Sequence, residues 1–423
     1  MPRTTLTVLT LLAATTALPM SAGCVVERDP ELTDVSVPSN SGLDRYVTAR
    51  DNYLRIVATT PPAAYPSALR RGVLGPLEQA GVNDPKNPMF LAKRGDVLLA
   101  LGRPEAARRL YEDALSVDQL WVAGWLGLGE VAATQGRVDD VERRADEADA
   151  ALDRLEVEVR RLTDAAKPFE FNLRGLTLYR SQQARNTGPK LTKLDGVKVL
   201  IGMLQENENW DVSRRTLRPV TGTLGGNVTP ESLFRRLRAR AAYLRAVAAE
   251  QRRVPLDDQL AAFEAALAWD QNYWPARFAK AQVVRRQGKH ADAWALLSPY
   301  VNQPRFANNV PMLLEAQRVF FDWFRATGSE VPEEKFYEYA RKLQAFKVEH
   351  PETALMLAEV YRLRAERVAG TAAVGELHSA MEALEEADSR IGIYPLAPDQ
   401  RVELRQRHDQ TRARVAAGLR ERG

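Results

Sequence analysis

Apolar residues recur along this chain at steps of three and four, the spacing that gathers side chains on one face of a helix. The longest such run is Val141, Ala145, Ala148, Leu152, Leu155, Val159 and Leu162, whose steps are 4, 3, 4, 3, 4, 3. That heptad seam predicts one long helix ending near Ala166. The same periodicity predicts helices over 230–253, 336–346, 353–367 and 374–389, with a polar closing helix over 401–419. Strand-like alternation is scarce, and 197–201 is its best instance. Proline and glycine interrupt the pattern at Pro61-Pro62, at Gly188-Pro189, and within 221–230 and 328–332. The pattern as a whole predicts an all-α fold.

The helices repeat. When 88–121 is laid over 122–155, Gly95 falls on Gly129, Gly102 on Gly136 and Ala114 on Ala148, each offset by 34 residues. Trp125, Leu128, Gly129, Ala132 and Ala148 in one copy, and Leu91, Gly95, Leu98, Ala107, Tyr111 and Ala114 in the other, resemble the tetratricopeptide repeat, a two-helix unit of that period. Phe263, Ala266, Leu267, Trp269 and Asp270 repeat the ending Tyr111, Ala114, Leu115, Val117 and Asp118. Ala281, Gly288 and Ala293 continue it. The later helices read as degenerate copies, and 401–419 as the polar cap that a repeat array needs. Gly102 and Gly136 stand where a first helix must end and turn, a place that favours the positive φ glycine tolerates. The resemblance implies a helical-hairpin solenoid wound as a right-handed superhelix, with an irregular central insertion at 185–230 and a concave groove that binds protein.

The N-terminus adds an address. Arg3 precedes the apolar run 6–18, which has the length of a secretory signal and falls short of the roughly 20 residues that span a bilayer. Ala22, Gly23 and Cys24 resemble the lipobox of bacterial lipoproteins, with Ser21 where leucine is commonest. The small residues Ser21 and Gly23 also fit an ordinary secretory signal. The lipoprotein resemblance implies a diacylated Cys24 at the mature N-terminus, an anchoring that takes two acyl chains to be stable. Val25 in place of aspartate points, by the same resemblance, to an outer-membrane protein facing the periplasm. The expected organisation is a signal at 1–23, a flexible tether at 24–43, a first helical block at 44–184, the insertion at 185–230 and a second block at 231–423.

Composition narrows the chemistry. With one cysteine in 423 residues no intramolecular disulfide forms, so stability rests on apolar burial, for which 45% hydrophobic content is ample. Residues 1–23 hold one arginine and no acid, so their removal takes the net charge from +4 to +3, too small a balance to imply nucleic acid. His290, His350, His378 and His408 are far apart and show no metal-ligand spacing. No phosphate loop, nucleophile elbow or zinc-protease motif occurs. No catalytic, metal or cofactor residue is therefore expected.

The candidate partner-binding residues are Lys93, Asp96, Asn272 and Arg277 on first helices, with Tyr273 and Trp274 at a hairpin junction. Arg235, Arg236, Arg238 and Arg240 lead an arginine-rich helix that fits either an anionic partner or acids on neighbouring helices. The seam 141–162 fits either a coiled coil with a partner or packing within the chain. The aromatics Phe320, Phe321, Trp323 and Phe324 have core spacing. The function expected is a membrane-anchored protein-binding scaffold of the cell envelope that assists assembly of an envelope complex. The alternatives are a helical-repeat enzyme acting on cell-wall glycan and a solute-binding lipoprotein.

Overall fold

The computed structural model describes residues 40–60, 64–83, 85–163, 230–303, 309–345, 350–394 and 398–422. The expected signal, Cys24, the strand candidate 197–201 and residues 185–229 lie outside them. Residues 40–43 of the expected tether are helical. Every regular element among the described residues is a helix, and none of these helices is long and apolar enough to cross a membrane.

The described residues open with α1 (Asn40–Thr59), α2 (Tyr65–Leu69), a π-helical turn (Arg70–Leu74) and α3 (Gly75–Asn83). Hairpins follow: α4 (Pro88–Ala100) with α5 (Pro104–Val117), α6 (Val122–Thr134) with α7 (Val138–Thr163), and α8 (Pro230–Gln251) with α9 (Leu256–Trp269). Next come α10 (Trp274–Arg286) with α11 (His290–Val301), α12 (Val310–Thr327) with α13 (Glu330–Gln344), and α14 (Pro351–Ala365) with α15 (Gly370–Ile393). Helix α16 (Pro398–Arg422) closes the chain. The fold is an all-α, tetratricopeptide-like array of helical hairpins. It divides into two compact units, the first made of residues up to Thr59 with Pro66–Ala279, the second of Thr60–Tyr65 with Lys280–Gly423.

The same contacts recur in each hairpin. Second helices bury residues at one spacing: Ala107, Tyr111 and Ala114 in α5, Val141, Ala145 and Ala148 in α7, Phe263 and Ala266 after Gln259 in α9, and Ala293, Leu297 and Tyr300 in α11. The intervals of four and three keep these positions on one stripe, which packs against the first helix. Gly95 and Gly129 occupy the equivalent eighth place of α4 and α6, and Ala281 that of α10. Two of the first helices, α4 and α12, also start alike. Asn87 and Asn309 accept the backbone N–H of Met89 and Met312, each at 3.0 Å, and a proline follows directly or at the second position.

In four of the hairpins the turn between paired helices is a Schellman closure, which satisfies carbonyls the helix end leaves free. After α4, Gly102 donates to Leu99 and Arg103 to Leu98. After α6, Gly136 donates to Ala133 and Arg137 to Ala132, and after α10, Gly288 donates to Arg285 and Lys289 to Val284. The three glycines have φ of 71, 67 and 79°. After α8 the same place falls to Arg253, at φ 56°, with Arg253 donating to Glu250 and Val254 to Ala249. This turn identifies α8 as the first helix of the third hairpin among the described residues, although its sequence lacks the glycine.

Candidate functional site

In the first unit, one aromatic side chain ties two hairpins together. Tyr111 is fully buried, and its hydroxyl donates to Asp96 Oδ1 at 2.8 Å. Its ring lies over two backbones. A Cβ at Gly95 would stand 2.7 Å from the ring, and one at Gly127 2.4 Å. Burial and the neighbouring Asp96 carboxylate both raise the tyrosine pKa, so the hydroxyl stays a donor. The sequence pattern marked Gly95 and Gly129 but not Gly127, whose role depends on the preceding hairpin.

Several expected surface residues are interior. Lys93 has no exposed area, and its Nζ stands 3.5 Å from Asp96 Oδ2, itself on a nearly buried side chain. Tyr273 packs edge-on against Tyr243 at 5.7 Å, and Trp274 lies 5.4 Å from the Phe278 ring; both are buried. These four residues hold the hairpins rather than present a face, because a first helix here is covered on most of its circumference. Asn272 and Arg277 remain at the junction surface. Asn272 donates its backbone N–H to Asp270 Oδ1 at 2.9 Å, and Arg277 Nε donates to the Gln271 carbonyl.

The arginines of α8 pair with acids and carbonyls of the chain itself. Helices α7 and α8 run antiparallel with an ion zipper along them. Arg238 bonds Asp153 at 2.7 Å and Glu156 at 3.0 Å, Arg245 bonds Asp149 at 2.6 Å and Asp146 at 2.8 Å, and Arg252 bonds Asp139 at 2.7 Å and also Glu142. The arginines step by seven along α8, so one face of it meets one face of α7. Arg235 donates to the Trp269 carbonyl at 2.9 Å, and Arg236 lies 4.0 Å from Asp270. Arg240 is buried and grips Glu130 with two nitrogens, at 2.9 and 3.1 Å. Burial opposes its charge, but Glu130 and Asp96 outweigh burial and its pKa rises. The anionic-partner patch is thus an internal interface. So is the heptad seam: Val141, Ala145, Ala148, Leu152 and Leu155 are buried within the chain, while the side chains of Val159 and Leu162 lie outside the described residues.

In the second unit the first helices carry a linked row of charges. Glu315, with no exposed area, accepts from Arg285 at 2.6 Å and Arg318 at 3.1 Å. Arg318 also bonds Glu352, which accepts from Arg407 of α16 at 3.1 Å. Burial alone would raise the Glu352 pKa, but Arg318 and Arg407 lower it to about 2. Beyond this row, α12, α14 and α16 enclose a pocket of about 370 Å³. Phe321, Leu355 and Leu363 supply its apolar surface. Arg407, Gln410, Thr411 and Arg414 line it from α16. Their spacing of three, one and three places them on one face of that helix, while Leu404, His408 and Val415 are its buried residues. Read from sequence, α16 was only a polar cap; the stripe was visible there, but not the helix it faces.

Among the described residues no three histidine, cysteine or acidic side chains are placed to hold a metal ion. Of the α12 aromatics expected in the core, Phe320, Phe321 and Phe324 are buried, while Trp323 is half-buried.

No family model and no curated protein matches the sequence. Solved structures resemble it at low identity. Pseudomonas aeruginosa pilF is 14% identical over 75% of this chain and 99% of its own, with a TM-score of 0.35. A tetratricopeptide repeat protein from Parabacteroides merdae is 13% identical over 70% and 99%, at 0.23, and yeast Tom70 is 10% identical over 89% and 87%, at 0.26. With overlaps this partial, it is the repeated turn and the repeated buried stripe that define the chain as an array of tetratricopeptide-like hairpins.

Proposed function

We propose that this protein is a protein-binding scaffold of the bacterial cell envelope, held at a membrane by a lipid on Cys24. The observation that carries the binding function is the hairpin repetition. The apolar stripe of each second helix is spent inside the array, Tyr111 on Gly95 and Gly127 of two successive hairpins and Phe263 beside Tyr243, which leaves the polar positions of the helices as charged faces. Stacked hairpins use such faces to receive peptides or helices of other proteins. The lipid follows from the resemblance of Ala22, Gly23 and Cys24 to a lipobox. An outer-membrane position facing the periplasm and a part in assembling an envelope complex extend the same reading.

Crosslinking in a two-membraned bacterium, with wild type beside Cys24→Ser, tests both halves. The wild type is expected in the membrane fraction and the variant in the soluble fraction, with the same partner captured by each. Unchanged fractionation would remove the anchor. Failure of either form to capture a protein would remove the scaffold.

A further inference from the structure

We infer that the pocket between α12, α14 and α16 receives an acidic side chain flanked by apolar residues, presented by a protein partner. This rests on the protein-binding reading and names the chemistry of the partner. Four arginines, Arg325, Arg362, Arg407 and Arg414, line the pocket against one acid, Glu359, a formal excess of three positive charges (4 − 1). The pairs already made leave part of that excess unanswered. Glu359 accepts from Arg362 at 2.8 and 3.0 Å and lies 3.7 Å from Arg414, and Arg362 also bonds Glu366, outside the pocket. Glu352 is shared between Arg407 and Arg318. Arg325 is exposed and forms no ion pair or hydrogen bond among the described residues. A guanidinium fork in that state matches a carboxylate, which accepts two parallel N–H donors.

The apolar surface selects the kind of anion. Phe321 and Leu355 are buried beside the arginines, so an occupant gains by bringing hydrocarbon next to its charge. A bare inorganic ion gains nothing there. The volume is at the lower end of ligand-sized pockets, enough for one or two side chains and too small for a helix. Gln410 and Thr411, on the same face of α16, add neutral hydrogen-bonding groups for a peptide backbone.

The test is fluorescence anisotropy on the full chain with a labelled peptide of alternating leucine and glutamate. Its glutamine counterpart and competing inorganic phosphate form the other arms. The acidic peptide is expected to bind and the glutamine peptide to bind at least about tenfold more weakly. Arg325→Gln and Arg414→Gln are each expected to weaken the acidic peptide about fivefold to tenfold, with unchanged circular dichroism. Arg412→Gln, elsewhere on α16, is expected to leave binding as it was. Equal binding by Arg325→Gln and wild type, or equal binding of the two peptides, would overturn the assignment. Displacement by phosphate at concentrations equal to the peptide would make this a free-anion site and overturn it too. Crosslinking separates the two proposals. A partner captured equally by wild type and Arg325→Gln sinks the pocket and spares the scaffold. Peptide binding without any captured partner does the reverse.

Discussion

Replacing Gly127 with alanine should loosen the first unit, although alanine is the better helix former. The added methyl would stand 2.4 Å from Cε1 and Cζ of Tyr111, where carbon atoms normally rest about 3.5–4.0 Å apart. The ring must therefore retreat by about 1 Å. It has nowhere to go: Gly95 closes its other side, the side chain has no exposed area, and its hydroxyl is tied to Asp96 at 2.8 Å. Overpacking of a tight core costs about 1–3 kcal/mol. Losing a hydrogen bond to a charged acceptor costs about 1.5–3 kcal/mol more. The helix gains about 1 kcal/mol from alanine. The net loss is about 1.5–5 kcal/mol. Gly375→Ala is the control, since that glycine is exposed within α15 with no atom near its Cβ position. There the propensity term acts alone, and stability should rise by about 0.5–1 kcal/mol. Amide hydrogen exchange reports each region separately, through α4–α6 for one variant and α15 for the other. Tyr111→Leu added to Gly127→Ala should recover part of the loss, because the smaller side chain leaves room for the methyl. Equal or slower exchange in α4–α6 of Gly127→Ala, or strict additivity with Tyr111→Leu, would refute the idea that the ring is clamped between two backbones.

Other outcomes follow from the turns and the buried charges. Arg253→Gly should stabilise the third hairpin by about 1 kcal/mol, the penalty of left-handed backbone for a residue with a Cβ; urea denaturation measures it, and a loss of stability would mean that the arginine side chain matters more than its backbone. The second unit should weaken in acid. Glu352 has a folded pKa of about 2, below its unfolded value near 4.5, so its contribution is complete above pH ~4.5 and is lost as pH falls toward 2. That shift corresponds to about 3 kcal/mol, and Glu352→Gln should flatten melting temperature against pH in that window. His350 is held down to about 4 by burial, so protonation of the unfolded chain removes stability as pH falls from about 6.5 to 4. His350→Asn keeps an acceptor for the N–H of Glu352 and should abolish only that upper part of the acid slope; thermal melts showing the same slope in wild type and variant would contradict this.

The sequence alone determined the helical fold, the hairpin period and the turn glycines, because these follow from local rules. A step of three or four residues fixes a helix face, and a positive φ after a helix selects glycine whatever lies beyond. It also determined which residues were chemically interesting, but not what they faced. Whether Arg238 and Arg245 meet a partner or Asp146, Asp149 and Asp153 depends on helices separated by some 90 residues of chain. Lys93 and Asp96 look like surface groups from their charge, and only the packing around α4 shows them buried. Gly127 carries no periodic mark; its constraint is the ring of Tyr111 on another hairpin. The pocket is the extreme case, since Phe321, Leu355 and Arg414 share no sequence neighbourhood and acquire a common function only where three helix faces converge.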